Sequence, residues 1–285
     1  MKDRLAKISP LNLIRKLRPG GGGGGGGGRK AKSGGDSVVD ALVTKSWEYL
    51  LDEARWGSPV TEAKGVKVWK YFLPKGEYGS EGSAVKSYAV VDAPAEAIFD
   101  MIFDSGRTKE YNKFSIGRDD IEQLGKTSKI VWNRTAPPGT KRPHDFCTLM
   151  HGEVFPNGTY VLMTTATEHP KAKPTNDYLR SEIVLGINHM VPVPGNPKKT
   201  QLTVINHVKT KGIPTFLTEK VAAKSAIDFV SKVQEVCGGG GGASATPAAT
   251  GAKVPVAAFH SPKLARRTAR GQSQRGRSRV RTAAA

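Results

Sequence analysis

Cysteine is almost absent from this chain of 285 residues, which holds only Cys147 and Cys237. Two cysteines cannot build a disulfide framework, and no CxxC pair indicates a metal or redox motif. The sequence also lacks a run of about 18 apolar residues, so we expect no transmembrane helix. No apolar segment of roughly 7–15 residues near the start indicates a secretory signal. These absences favour a cytoplasmic protein, with an organelle interior as the alternative.

Acidic residues are nearly absent from the two ends of the chain, which hold only Asp3. Of the net charge of +19, residues 1–32 hold +8 and residues 238–285 hold +9, which leaves +2 for residues 33–237. Glycine runs lie at the same boundaries, and such runs gain little packing when they order. We therefore predict a basic, glycine-rich flexible segment (1–36), one folded domain (37–237) and a disordered basic tail (238–285). The basic charge belongs to the tails, which weakens any claim that the domain itself binds nucleic acid.

The two basic segments indicate possible partners. Residues 1–18 place an apolar residue at every third position between basic ones, a pattern that favours an amphipathic segment on an anionic membrane surface or an organelle-targeting segment. A disordered basic tail is the alternative. Residues 266–281 form an RG-rich run, so RNA association is a second hypothesis, although the run holds no aromatic residue for base stacking.

The order of predicted elements defines the fold class. Periodicity predicts a helix over 37–56, strands over 66–73 and 84–92, and a short helix over 93–104. Six strands then follow in succession, and a long amphipathic helix covers 214–237. The six are 118–124, 128–134, 144–155, 158–168, 178–191 and 200–210. Successive strands with short turns indicate an antiparallel sheet. We predict an α+β fold in which a curled antiparallel sheet wraps around the long C-terminal helix.

Four motifs occur in order within this domain. The segment DSGRTKEYNKF resembles a D-x-x-R-x-x-W-[DN] turn, with Tyr111 in place of the tryptophan. RPHDFC resembles an R-D-F-[VC] strand start, with His144 in place of the arginine. The next hairpin leads to an R-x-E motif at Arg180 and Glu182, and TQLTVINHVKTKGIP resembles a strand that enters the last helix through K-G-x-x-P. Over roughly residues 38–237 the chain resembles a START domain, the lipid-transfer module related to the steroidogenic acute regulatory protein.

The resemblance implies a helix-grip fold that holds one lipid or sterol-like ligand in an internal cavity and carries or senses it between membranes. It implies no catalysis and no cofactor, and we expect a monomer. It also implies that the proline-rich loop 133–143 forms a lid with the last helix, where Phe216, Ile227 and Val230 would cap the pocket. In some family members the arginine at the position of His144 binds polar ligand groups, so His144 is a candidate ligand contact.

Strand alternation gives further candidate contacts. In 179–191 the odd-numbered residues are the more apolar, so we predict that His189 and Val191 face the interior. In 200–208 the inner face holds Leu202, Val204 and Asn206, and in 144–150 His144 shares a face with Phe146. A buried polar group without a partner costs about 1–3 kcal/mol. A bound ligand or an internal hydrogen bond must therefore satisfy His189 and Asn206.

Reactive residue types are concentrated in 141–170, which raises the question of a metal site or a nucleophile. Residues of one strand face lie about 7 Å apart, whereas a zinc ion needs ligands at about 2.0–2.3 Å, and no spacing shows neighbouring strands completing a site. No oxyanion-hole signature accompanies Cys147. We predict ordinary sheet here and no metal. An enzyme of the polyketide-cyclase type remains the alternative, but it would need acids and bases that converge in the cavity.

Overall fold

A computed structural model describes residues 34–137 and 140–238 of the chain. The predictions for residues 1–18, for the first glycine run and for the RG-rich run lie outside these ranges. The proposed division of the chain at residues 37 and 237 stays a prediction. No helix of the described ranges is both long enough and apolar enough to cross a bilayer.

The described chain contains four α-helices and ten β-strands. The helices are α1 (Gly34–Leu51), α2 (Ala95–Phe103), α3 (Thr108–Tyr111) and α4 (Thr215–Gly238). The strands are β1 (Thr61–Ala63), β2 (Val66–Phe72), β3 (Ser83–Val91), β4 (Ser115–Gln123), β5 (Ser128–Thr135), β6 (His144–Val154), β7 (Tyr160–Ala166), β8 (Leu179–Arg180), β9 (Glu182–Val193) and β10 (Asn196–Lys209). Most bounds agree with the sequence within about three residues. The short edge strand β1 was not predicted, and the first helix ends at Leu51 and continues as a 3₁₀ turn over Glu53–Trp56.

All ten strands belong to one sheet. Nine of them follow the order β1-β2-β3-β10-β9-β7-β6-β5-β4 through antiparallel pairs, and β8 pairs in parallel with β6. The turn between β6 and β7 contains Asn157 and Gly158, where Gly158 adopts φ 79°. A glycine tolerates this left-handed conformation at no steric cost, which is why the pair favours a hairpin. The antiparallel α+β fold predicted from the sequence is confirmed.

Each face of the sheet packs against different helices, and each forms its own hydrophobic core. The concave face, which includes Val68, Leu202 and Val204, packs against α2 and α4. The convex face, which includes Leu185 and Ile205, packs against α1 through Leu42 and Val43. Because α4 places Val230 and Val233 in the concave core, its second half is held firmly. The sheet therefore grips the long helix on its concave side and is closed by α1 on the other.

Candidate ligand cavity

Part of the concave face is open to solvent near the C-terminal end of β10. Asn206 and Val208 lie on β10, an interior strand, and share the phase of Leu202 and Val204, which point toward α2 and α4. Both side chains are nevertheless exposed, Val208 by 37%. Solvent therefore reaches the concave face at this end of β10, and we call the open space between it and α4, which contacts β2 and β3, the hollow.

A second open space lies where the loop before β6 approaches the start of α4, and we call it the mouth. A cavity of about 870 Å³ opens there. Its apolar lining includes Phe114, Pro137, Leu179, Ile213, Leu217 and Val221. Five cations share the lining with one acid, and that acid, Asp228, bonds with Lys224 over 2.8 Å. The cations are Lys113, Lys141, Arg142, Lys220 and Lys224. The mouth is therefore both apolar and positively charged.

Buried polar atoms without a hydrogen-bond partner among the described residues line the concave face. Directly opposite residues of an antiparallel pair project to the same side, so the register gives their direction. Ser87 and Asn188 both lie opposite Val204, and Thr148 lies opposite Val131; both valines belong to the concave core. The unpartnered atoms on this face are Ser87 Oγ, Ser115 Oγ, Asn133 Oδ1, His144 Nε2, Thr148 Oγ1 and Asn188 Oδ1.

Of three buried or half-buried cations on the concave face, two are held in ion pairs, whereas Arg118, opposite Asn133, donates to the Tyr111 hydroxyl and to the carbonyl oxygens of Ile102 and Phe103. Lys70 Nζ lies 2.9 Å from Glu219 Oε2 of α4, and it also donates to the Glu219 carbonyl oxygen. Lys129, only 3% exposed, lies 2.9 Å from Asp120. Burial lowers the pKa of Lys129, although the hydrogen bond from its ammonium to Asp120 opposes that shift. The two lysines of this face are thus neutralised by carboxylates, whereas the hydrogen bonds of Arg118 go to neutral oxygen atoms.

His144 is buried, and one of its two ring nitrogens has a hydrogen-bond partner. Its ring is 1% exposed, and Nδ1 lies 2.8 Å from the Ser181 hydroxyl oxygen. Burial lowers the pKa of His144, and the neighbouring Asp145 opposes this only in part. Because the pKa falls below the ordinary value of 6.5, the imidazole is neutral near pH 7. Its Nε2 is buried and has no hydrogen-bond partner among the described residues.

The structure brings several predicted site residues together on the concave side. On β6, His144 and Phe146 point to the same side as Met150, which belongs to the concave core. On β10, Leu202, Val204 and Asn206 also point to this side. From α4, Ile227 packs against this core and Val230 is buried in it. Their contact with a ligand stays a prediction.

The predicted direction of His189 and Val191 was wrong. His189 lies opposite Val161 of the convex core, and its ring packs edge-on against Trp47 of α1 at 5.9 Å between centroids. Val191 follows in the same phase. The sequence argument assumed that the more apolar phase faces the cavity. In this fold the more apolar phase packs against α1, while the phase that faces the hollow carries Gly186 and Asn188.

The predicted role of Phe216 as a cap was also wrong. Its side chain is 70% exposed, whereas Leu217 and Val221 line the mouth. The first turns of α4 have no buried residue, because the helix there extends beyond the sheet. The predicted loop 133–143 also begins later than expected, since β5 continues to Thr135.

Sequence reasoning missed Ser87, Asn133, Thr148 and Asn188. Each lies in a strand whose phase could be assigned by pairing it with a neighbour of known direction. Asn188, for example, alternates with Met190 of the concave core. The signal was present but needed the register, which local periodicity does not supply.

The reactive residue types within 141–170 have structural roles in the sheet. Asp145, 1% exposed, accepts hydrogen bonds from Arg180 Nη2 at 2.7 Å and from Trp132 Nε1 at 2.9 Å. Burial raises the pKa of the Cys147 thiol, which disfavours a nucleophilic thiolate. Within the described ranges, no group of three or more His, Cys, Asp and Glu side chains is arranged to hold a metal ion.

An antiparallel sheet that grips a C-terminal helix over a partly polar hollow defines a helix-grip protein. The family model of the START domain matches residues 39–238. The chain therefore belongs to the START domain family, as its four motifs indicated.

The comparisons add several relatives. The chain is 25% identical over 148 residues to START domain-containing protein 10 of Mus musculus, covering 51% of this chain and 50% of that protein. It is 26% identical over 170 residues to StAR-related lipid transfer protein 5 of Bos taurus, covering 54% of this chain and 75% of that protein. The chain thus spans about half the length of the first of these relatives. The solved structure of human StAR-related lipid transfer protein 5 superposes with a TM-score of 0.64 at 22% identity, covering 71% of this chain and 95% of that one, which shows a shared fold.

Proposed function

We propose that this protein binds one lipid or sterol-like molecule between α4 and the concave face and carries or senses it between membranes without altering it. The observation that carries the proposal is the cavity of about 870 Å³ at the start of α4, whose lining includes the apolar side chains of Phe114, Leu179, Ile213, Leu217 and Val221. Sites for small molecules have volumes of about 300–1,000 Å³, so the mouth alone has the size of a ligand site. Similarity to StAR-related lipid transfer protein 5 of Bos taurus supports the same function.

Burial of apolar surface supplies the affinity. A lipid that buries roughly 500 Å² of apolar surface gains on the order of 12 kcal/mol before costs. Immobilising the ligand takes back several kcal/mol of that gain. The remainder is sufficient to hold a molecule that is poorly soluble in water, and opening of the mouth then controls its release.

The mouth favours docking on an anionic membrane. Leu217 and Val221 are 44% and 52% exposed at its edge, next to Lys220 and Lys224. Exposed apolar side chains insert into the headgroup region, and each nearby cation gains about 1 kcal/mol from anionic lipids. The basic tails would add to this attraction.

The concave face supports carriage rather than catalysis. General acid–base catalysis needs a titratable group positioned at the reacting atom. Among the described side chains of this face, Lys70 and Lys129 are held in ion pairs and His144 is tied to Ser181. We therefore assign this face to binding.

Native mass spectrometry of the purified full chain tests the function, followed by extraction of the bound lipid after incubation with mixed-lipid vesicles. We expect one bound lipid per chain. Asn206→Trp should fill the hollow and reduce the bound fraction at least about fivefold, because an indole occupies the space of part of the ligand. Val90→Trp is the matched control, since Val90 is 50% exposed on the convex face. Equal loading of all three proteins, each shown to be folded by circular dichroism, would place the lipid elsewhere.

A further inference from the structure

Most of the positive charge in the lining of the mouth is not neutralised by the protein. Two of its five cations, Lys113 and Lys224, share the single acid Asp228, at 3.9 Å and 2.8 Å. The other three form no ion pair within the described part of the chain, and we call them the mouth cations. They are Lys141, Arg142 and Lys220. Five positive charges and one negative charge leave the lining with a net charge of +4.

Arg142 is held in place without being neutralised. Its Nη1 donates to the backbone carbonyl oxygen of Asn176 over 2.6 Å. Its Nε and Nη2 have no hydrogen-bond partner among the described residues, and they form the edge of the guanidinium that binds a carboxylate or phosphate through two parallel hydrogen bonds. A carbonyl oxygen does not cancel a full charge, so Arg142 can still pair with an anion.

A further positive charge lies behind the mouth. Arg118, 8% exposed, donates to the Tyr111 hydroxyl over 3.0 Å, and its other hydrogen bonds also go to neutral oxygen atoms. The Tyr111 ring packs edge-on against Phe229 of α4. Lys113 follows Tyr111 by two residues, Asp228 directly precedes Phe229, and both line the mouth. The guanidinium of Arg118 therefore adds to the positive potential there, and its burial limits screening by salt.

The mouth cations border an apolar concavity. Leu179, Ile213, Leu217 and Val221 belong to the same lining, and covering them with a hydrocarbon chain removes apolar surface from water. The cavity of about 870 Å³ has the size of a site for a whole small molecule. One molecule can therefore satisfy both parts of the mouth if it joins an apolar body to an anionic group.

The charge of the headgroup decides whether the mouth favours a ligand. The mouth cations are exposed, so an anion beside them keeps part of its hydration, which it would lose in the buried concave core. A neutral headgroup leaves the positive charges of the lining repelling one another, and a cationic headgroup adds to that repulsion. An anionic headgroup at the rim relieves it.

We infer that the ligand is an anionic amphiphile whose carboxylate or phosphate stays at the mouth beside Lys141, Arg142 and Lys220, while its apolar body covers the rest of the lining. This inference rests on the proposed function and narrows it to one class of ligand. The anionic group belongs to the carried molecule itself, so the protein prefers it in a monomeric ligand, with no membrane present.

Three twelve-carbon probes that differ in charge test the inference. They are dodecanoate, 1-dodecanol and dodecyltrimethylammonium, which are anionic, neutral and cationic near neutral pH. Each displaces the neutral dye N-phenyl-1-naphthylamine from the full chain, below the concentration at which the probe forms micelles and without vesicles. The alcohol is much less soluble in water than dodecanoate, so burial of the chain alone favours the alcohol. Tighter binding of dodecanoate therefore requires an attraction to its charge.

We expect dodecanoate to bind at least about tenfold more tightly than the alcohol, and the cationic probe to bind most weakly. Lys141→Gln with Lys220→Gln should bring the ratio of dodecanoate to alcohol affinity down at least about fivefold. Lys67→Gln with Lys198→Gln is the control, because it removes the same net charge from exposed positions far from the mouth and should leave the ratio unchanged. Raising the ionic strength from about 0.01 M to about 1 M shortens the Debye length from about 30 Å to about 3 Å and should also lower the ratio.

Equal or tighter binding of the alcohol by the wild-type protein would overturn the inference, as would equal loss of the ratio in both double variants, since the preference would then follow from net charge. The carrier function would stand in either case. Binding to anionic vesicles through Lys141 and Lys220, without a preference for dodecanoate, would mean that the mouth cations serve docking only, and would also overturn the inference. If no probe displaces the dye and native mass spectrometry finds neither bound probe nor bound lipid, the inference and the proposed function both fail.

Discussion

Glu219 of α4 is joined to Ser83 at the start of β3, whose backbone N–H donates to Oε1 over 2.7 Å and whose hydroxyl lies 2.8 Å from Oε2. Lys70 adds an ion pair at 2.9 Å. The first half of α4 buries no residue, whereas Val230 and Val233 anchor the second half. This carboxylate therefore holds the part of the helix that borders the mouth.

Glu219→Gln should loosen the first half of α4. The substitution removes charge-assisted hydrogen bonds worth about 1.5–3 kcal/mol. We expect backbone amide exchange over residues 216–226 to accelerate about tenfold, with residues 230–237 unchanged. Glu235→Gln is the control, because Glu235 pairs with Lys232 while 68% exposed. Uniform acceleration along the helix would show that Glu219 does not stabilise the first half of α4 selectively.

The same contact should weaken in acid. Burial acts to raise the pKa of Glu219, but hydrogen bonds from Ser83 and Lys70 outweigh it and hold the pKa below its ordinary value of 4.5. The stabilisation of the closed helix is thus complete above pH 4.5 and is lost as the pH falls through the lowered pKa. Protection factors over residues 216–226, which correct for the intrinsic pH dependence of amide exchange, should fall in that window, and Glu219→Gln should abolish this fall.

Arg180→Met should be strongly destabilising. It would leave the buried Asp145 carboxylate without its cation. We expect the free energy of unfolding, measured by urea denaturation, to fall by about 3–5 kcal/mol. Adding Asp145→Asn should recover part of that loss, because no buried charge remains. Arg134→Met, whose partner Asp119 is 53% exposed, should cost about 1 kcal/mol or less. A similar cost for the two arginine variants would show that Asp145 is solvated.

His189 should make stability depend on pH. Burial lowers the pKa of His189 from 6.5, so between that value and the lowered pKa the unfolded chain binds the proton more readily. Stability should therefore fall as the pH drops below 6.5. His189→Phe keeps an aromatic ring against Trp47 but cannot titrate, and should reduce the loss between pH 7.5 and 5.5. His144 and His207, whose pKa values are also lowered by burial, should account for a residual loss. An unaltered pH profile would show that His189 is already hydrated.

Charge reversal at the mouth should weaken membrane docking. Lys141→Glu with Lys220→Glu should lower the affinity for vesicles rich in phosphatidylserine by at least about tenfold, with little change for neutral vesicles. Lys198→Glu with Lys199→Glu, near the opposite end of β10, keeps the same net charge and is the control. Cosedimentation measures the binding. Equal losses for both double variants would mean that net charge alone governs association.

The sequence by itself determined the order and type of the elements and the family. Alternation, the Asn157-Gly158 turn and the apolar stripe of α4 are local signals, since each depends on neighbours within a few residues. They located nearly every strand to within about three residues, and they gave α4 its buried contacts at Val230 and Val233.

Only the tertiary structure decided which face of each strand borders the hollow. Both faces of this sheet are covered by helices, so apolarity alone cannot tell a packed core from a cavity wall. His189 was assigned to the wrong side for this reason, and Asn188 was overlooked. The direction of a side chain follows from hydrogen-bond register across strands far apart in the chain, and from which helix lies on each face. Both are long-range properties that no local pattern of residues encodes.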